Sequence, residues 1–182
     1  MNGILRNIGE RQVATLVDST RGDVAASISE LDQQSREVQA EGWSFNMEIV
    51  TLPLTIRSEV DVPSNALDVR TLGTYGREEI VVRGDRLYNK TLNTFTFTEA
   101  PEVETIVQLP FESLPEHARY YIMVRAARVV AQSRVGDPAI VQFSHQDEQM
   151  ARIQLEAREL ESEDHTAFDN RELLKLTNPR LR

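Results

Sequence analysis

The sequence predicts an α+β fold, a helical bundle built from N- and C-terminal helices with an inserted, mostly antiparallel β region. Three observations carry this. Apolar residues recur at helical spacing before residue 44 and again after residue 114. Between Phe45 and Leu109 the apolar period falls to two. Breakers mark both changes of period, Gly42 on the way in and Pro110 and Pro115 on the way out. The implied organisation is a discontinuous helical part (residues 1–44 and 114–164), a β region (45–113) and a C-terminal tail (165–182).

The elements follow in order. Ile4, Leu5 and Ile8 line one side of a short amphipathic helix over residues 2–9, which Gly9 ends. After a connection through residues 11–20, a second helix runs from about residue 20 or 23 to residue 41. Its apolar positions are Val24, Ile28, Leu31 and Val38, with a polar lapse at Ser35. This is one narrow stripe opposite a polar face. Gly42 stops the helix, and the single tryptophan, Trp43, follows as a strand begins. Five or so short strands are expected across 45–57, 59–72, 79–89, 94–98 and 103–109, with a turn at Pro63-Ser64-Asn65. Gly84-Asp85 between two strand-like runs is the signal of a two-residue hairpin of type I′ or II′. Thr94-Phe95-Thr96-Phe97-Thr98 alternates strictly. Ser113-Leu114-Pro115-Glu116 opens a third helix, with serine as cap and proline in the first turn. Its apolar face holds Ala118, Tyr121, Ile122, Val129 and Val130, and Gly136 ends it. Asp137-Pro138 opens a fourth helix to about residue 161, with the stripe Ile140, Phe143, Met150, Ile153, Ala157 and Leu160.

Composition narrows the function classes. The chain has 182 residues, 29 acidic against 20 basic, for a net charge of −9. Sequence-specific nucleic-acid binders neutralise phosphates with a basic patch, and whole-chain charge here points the other way. The acidic balance fits plain solubility equally well. With no cysteine there is no disulfide, thiolate metal site or cysteine nucleophile, which fits assembly in a reducing cytoplasm. No long apolar run opens the chain and none reaches bilayer length, so the expectation is a soluble protein without signal peptide.

No motif for chemistry stands out. Glu78 with Glu79, and Glu112 with Glu116, are the carboxylate pairs a glycosidase would need, and each also reads as solvated surface or helix capping. His117, His145 and His165 have no metal-ligand spacing. The chain has no Gly-x-Ser-x-Gly elbow and no phosphate-binding loop, and Gly73-Thr74-Tyr75-Gly76 reads as a strand connection. Arg83-Gly84-Asp85 spells an adhesion tripeptide that a turn explains better. Two features remain. Arg119, Arg125, Arg128 and Arg134 punctuate the third helix, while Asp147, Glu148, Glu156, Glu159, Glu161, Glu163 and Asp164 make the fourth acidic. These stripes can pair within the chain or between copies. In the tail, Leu173, Leu174 and Leu176 are too few for a core of their own, and suit docking in a partner's groove or packing on their own domain.

Four segments carry a resemblance. They are Asn2-Gly3-Ile4-Leu5 through Ile8-Gly9-Glu10 with Val13, Thr15 and Leu16; Gly42-Trp43-Ser44-Phe45-Asn46; Arg83-Gly84-Asp85-Arg86-Leu87-Tyr88-Asn89-Lys90-Thr91; and Leu114-Pro115-Glu116 through Arg119-Tyr120-Tyr121-Ile122. In this order and at these distances the chain resembles the tail tubular protein A family, the head-to-tail adaptors of short-tailed bacteriophages. The tail fits least. The resemblance implies a twelve-fold ring of copies joining the portal protein to the tail nozzle protein, with Arg125, Arg128, Glu156 and Glu159 among the ring contacts. It implies a nozzle-facing hairpin at Arg83, Gly84, Asp85 and Arg86. It also implies a portal-docking tail at Leu173, Leu174, Leu176, Pro179 and Leu181. Double-stranded DNA would pass without sequence-specific binding, and an acidic channel would help it slide. No membrane, metal, cofactor or catalysis is implied. The location would be the head-tail junction of the virion, after synthesis in the host cytoplasm. A tail-associated glycan hydrolase and a non-viral assembly module are the alternatives.

Overall fold

The computed structural model describes residues 22–75, 79–134 and 138–169. They form a mixed α/β fold of three helices and two small antiparallel sheets. In chain order these are α1 (Gly22–Gln39), β1 (Met47–Thr51), β2 (Ala66–Thr71), β3 (Ile80–Arg83), β4 (Arg86–Asn89), β5 (Glu102–Val107), α2 (Glu116–Arg134) and α3 (Pro138–Asp169), with short 3-10 turns at Gly73–Tyr75 and Phe111–Ser113. The expected helix over residues 2–9, Glu78 and the tail leucines lie outside the described residues, while His165 falls within α3.

The expected helical bundle with an inserted β region is not what these residues show. Extensive helix packing joins α2 to α3, while α1 reaches the Ala126, Ala127 and Val130 cluster of α2 through Leu31. The reason lies in the α1 stripe. Its buried positions include Ser27, Gln34, Ser35 and Gln39, which supply too little apolar surface for a bundle seam. Nor do the strands form one sheet. They split into β1-β5-β2 and the separate pair β3-β4.

The described residues divide into two compact units, one of residues up to Ser35 with those from Phe111 onward, the other Arg36–Pro110. In the second unit β5 is the central strand, antiparallel to both neighbours. Its Val103, Thr105 and Val107 point inward, and Thr105 Oγ1 donates to the Asp68 carbonyl at 3.1 Å. β2 carries a bulge between Ala66 and Asp68. The core gathers Leu52, Val60, Ile80, Leu87, Phe97 and Val103. The run 94–98 is not a strand. Thr94 and Thr96 make isolated bridges to Asn89 and Glu59, and the Thr94 hydroxyl accepts the Thr96 N–H at 3.1 Å. A side-chain oxygen that holds the local backbone competes with ladder pairing.

At the end of α1 the orphan carbonyls are met one by one. Gly42 ends the helix at φ +79°, and its N–H bonds the Gln39 carbonyl at 3.1 Å. The Trp43 indole N–H donates to the Val38 carbonyl at 2.7 Å. Fully buried Asn46 donates Nδ2–H to the Gln39 carbonyl (2.9 Å) and the Val107 carbonyl (3.1 Å), while its Oδ1 accepts the Trp43 N–H at 2.8 Å. Gln39, also fully buried, pairs its amide with the backbone of Leu109 in both directions, at 2.7 and 3.1 Å. The segment Gly42-Trp43-Ser44-Phe45-Asn46 is therefore a joint between a helix end and strand β5.

In the helical unit, α2 buries Ala118, Tyr121, Ile122, Ala126, Ala127, Val130 and Ala131. The alanines extend the face expected from the larger residues. α3 departs from expectation. Among its described side chains the buried ones are Ala151 and Leu155, whereas Met150, Ile153 and Leu160 of the expected stripe are 59%, 58% and 64% exposed. The face turned to α2 carries Glu148, which pairs with Arg128, and Arg152, whose Nη1–H donates to the Tyr121 hydroxyl at 3.4 Å. Polar anchors and two close-fitting apolar residues set the rotation of α3, and the more apolar stripe is left facing out.

Candidate functional site

The β3–β4 hairpin closes through Gly84 and Asp85, with Arg83 opposite Arg86. Gly84 has φ +66° and Asp85 a negative φ, the pattern of a type II′ turn. The hairpin is braced on one side by a short series of cation–ring and ring–ring contacts. The Arg83 guanidinium lies 3.7 Å from the Tyr88 ring centroid, Tyr88 meets Phe95 edge-on at 4.8 Å, and the Arg86 guanidinium lies 4.7 Å from the Phe95 centroid. Arg86 also holds Glu59 at 2.9 Å across to the neighbouring segment. That hydrogen bond, with the charge of Glu59, raises the Arg86 pKa further above its ordinary value. Of the four hairpin residues, then, Arg86 is held inside the chain, whereas Arg83, Gly84 and Asp85 face solvent. Next to them Val82 is also exposed.

The charged residues expected at ring contacts divide likewise. Arg128 pairs with Glu148 across α2 and α3, with both side chains only 16% exposed, and its Nη1–H also reaches the Gln132 side chain at 3.2 Å. Glu156 pairs with Arg152 one turn back on α3 at 2.8 Å. Arg125 and Glu159 also have interaction partners. Among its exposed residues, most of them polar, α3 also carries an apolar line. Met150, Ile153, Ala157 and Leu160 are all exposed, at spacings of three, four and three. That spacing keeps one line facing one side of the helix, the geometry of a coiled-coil seam. Of the stripe read from the sequence, the described side chains are those of Met150, Ile153, Ala157 and Leu160, and all four are exposed. Nothing in a linear pattern separates a stripe packed at home from one held out for a partner.

The remaining candidates are dispersed. Glu79, Glu112 and Glu116 are exposed, and Glu116 takes a hydrogen bond from Arg119 at 2.5 Å, so the last of these acts as a first-turn partner on α2. His145 is exposed on α3 and His117 half-buried on α2. Among the described residues no group of three or more His, Asp or Glu is disposed to hold a metal ion, and no helix is long and apolar enough to cross a membrane. The tail residues Leu173, Leu174, Leu176, Pro179 and Leu181 lie outside the described residues.

No curated protein matches the chain closely enough to count as a relative. A protein family does match. Tail tubular protein is matched over residues 1–165, a span that takes in both units, the Gly42–Asn46 joint and the exposed α3 stripe. The family is one of structural phage proteins, which gives this chain a structural role in the virion tail, in assembly with other tail or virion proteins. An interior joint satisfied group by group, and a helix whose most apolar line is turned outward, fit a protein that works by assembling, and the match over residues 1–165 makes the conclusion plain: the chain belongs to the tail tubular protein family.

Proposed function

We propose that the protein is the head-to-tail adaptor of a short-tailed phage. Copies of it form a twelve-fold ring that joins the portal protein to the tail nozzle protein and lets double-stranded DNA pass. The observation that carries this reading is the outward α3 stripe of Met150, Ile153 and Leu160 in a chain of the tail tubular protein family. An apolar line of this kind, left over after α2 and α3 have packed, suits a heterologous contact between neighbouring copies that closes into a ring. Arg125, Arg128, Glu156 and Glu159 flank that contact in the proposal. Because Arg128 and Glu156 already hold Glu148 and Arg152, the apolar line supplies most of the association and the charges set its register.

In the same reading the β region (45–113) carries the nozzle-facing hairpin, which presents Arg83, Gly84 and Asp85. The tail (165–182) docks on the portal through Leu173, Leu174, Leu176, Pro179 and Leu181. The net charge of −9 keeps passing DNA from sticking.

Electron microscopy of the purified chain mixed with its portal tests the whole. Rings seated on portal are the expected result, and a chain ending at residue 164 forms rings that no longer seat. A full-length chain that never joins portal rings at any mixing ratio overturns the adaptor reading.

A further inference from the structure

β1 is an edge strand, paired on one side to β5. Two hydrogen bonds set the phase of that pairing. The Val107 N–H donates to the Asn46 carbonyl at 2.8 Å, and the Leu52 N–H to the Pro101 carbonyl at 3.0 Å. Alternation along an antiparallel ladder then turns the backbone groups of Glu48 and Val50 toward β5, and those of Met47, Ile49 and Thr51 away from it. The Met47 N–H is taken by the Trp43 carbonyl at 3.0 Å. Among the described residues, the N–H and C=O of Ile49 and Thr51 have no hydrogen-bond partner. Exposed edges are normally blunted by charge, proline or a bulge. Beside the exposed charge of Glu48, this one shows Met47 and Ile49, 42% and 64% exposed, on the outer face of the sheet.

The charge beside that edge is one-sided. Glu104 stands opposite Ile49 on β5, with Glu102 two residues before it on the same face, and Glu48 is exposed on β1 itself. Among the described residues of the three strands, the cation on the outer face is Arg70, opposite Glu104, and Asp68 holds it at 3.0 Å. A strand added beside β1 would lie two strand spacings, about 10 Å, from Glu104. A lysine or arginine opposite Ile49 spans that distance, covering Ile49 with its methylenes and ending at the carboxylate.

We propose that the free edge of β1 takes an extended segment of a partner protein in which apolar and basic residues alternate, added as a further antiparallel strand. Backbone hydrogen bonds to Ile49 and Thr51 hold it. The carboxylates of Glu102 and Glu104, on the same face as Ile49, select its basic residues, and the same carboxylates repel nucleic acid.

The test uses the full chain and a fluorescein-labelled hexapeptide, Lys-Val-Arg-Val-Lys-Val, followed by anisotropy. Saturable binding is expected. Ile49→Pro removes only an outward N–H, so circular dichroism and melting stay near wild type while binding weakens about tenfold, the worth of one backbone hydrogen bond with its alignment. Glu104→Gln weakens binding and flattens its salt dependence. The same peptide N-methylated at alternate residues does not bind the wild-type chain, and this arm decides the matter even where Ile49→Pro disturbs the fold. Absence of saturable binding overturns the proposal. So does binding that ignores both Ile49→Pro and N-methylation, since charge alone would then be the cause. A change of oligomeric state in Ile49→Pro without peptide also overturns it, because a second copy would then occupy the edge.

Discussion

Around Asn46 the molecule buries polar side chains, and along α3 it exposes apolar ones. The Asn46 region closes on itself, because Gln39, Trp43 and Asn46 answer backbone groups of α1 and the β5 segment at 2.7 to 3.1 Å. Each of those polar atoms would be costly if left unpaired in the interior, so the joint holds one geometry. The α3 stripe is the reverse case. Met150, Ile153 and Leu160 remain 59%, 58% and 64% exposed where they sit, and in the proposed ring they are covered by a neighbouring copy. Polar groups inside specify how the subunit folds, and the apolar line outside is the proposed contact with a neighbouring copy.

The contrast can be broken from its folded side first. Asn46→Leu strips partners from the Trp43 N–H and the Gln39 and Val107 carbonyls, and is expected to cost about 3 kcal/mol in urea unfolding. A loss under 1 kcal/mol would mean that water reaches the joint. Gly42→Ala comes next. A Cβ there would meet Ile106 Cδ1 at 2.8 Å, at φ +79°. About 2 kcal/mol is expected, read from the same denaturation curves, and Gly42→Asn should recover little of it because the clash with Ile106 persists. Arg128→Met ranks third. It leaves Glu148 part-buried without its cation, for about 1.5 kcal/mol at neutral pH. Adding Glu148→Leu to the variant should narrow the gap to wild type, and an unchanged gap in the double variant would show that lost packing is the cause. The last change sharpens the other side of the comparison. Met150→Gln, Ile153→Gln and Leu160→Gln together should alter thermal unfolding of the monomer by less than about 0.5 kcal/mol per site, while light scattering shows ring assembly lost. Rings that persist would remove the stripe from the subunit contact.

Much of the local structure was legible from residue types alone. Gly42 as a helix stop, Gly84-Asp85 as a two-residue turn, Pro115 at the start of α2 and Pro138 at the start of α3 each rest on a backbone restriction that belongs to the residue itself. The segments behind the family resemblance were legible for the same reason, and the family match bears that resemblance out. For the candidate surfaces, residues 83–86 could be read as a tip, yet not that Arg86 would turn inward to Glu59.

The sequence by itself determined where α2 and α3 begin and where Gly42 and Gly84 turn the chain, because φ restrictions, caps and periodicity act over a few residues, but not that α3 would run on from the expected residue 161 to Asp169. The tertiary structure alone decided which of two helix faces is buried and into how many sheets the strands divide. It also decided which charges are already paired. Those outcomes depend on groups distant in the chain, as when Arg128 and Tyr121 fix the rotation of α3 and so leave Leu160 in water.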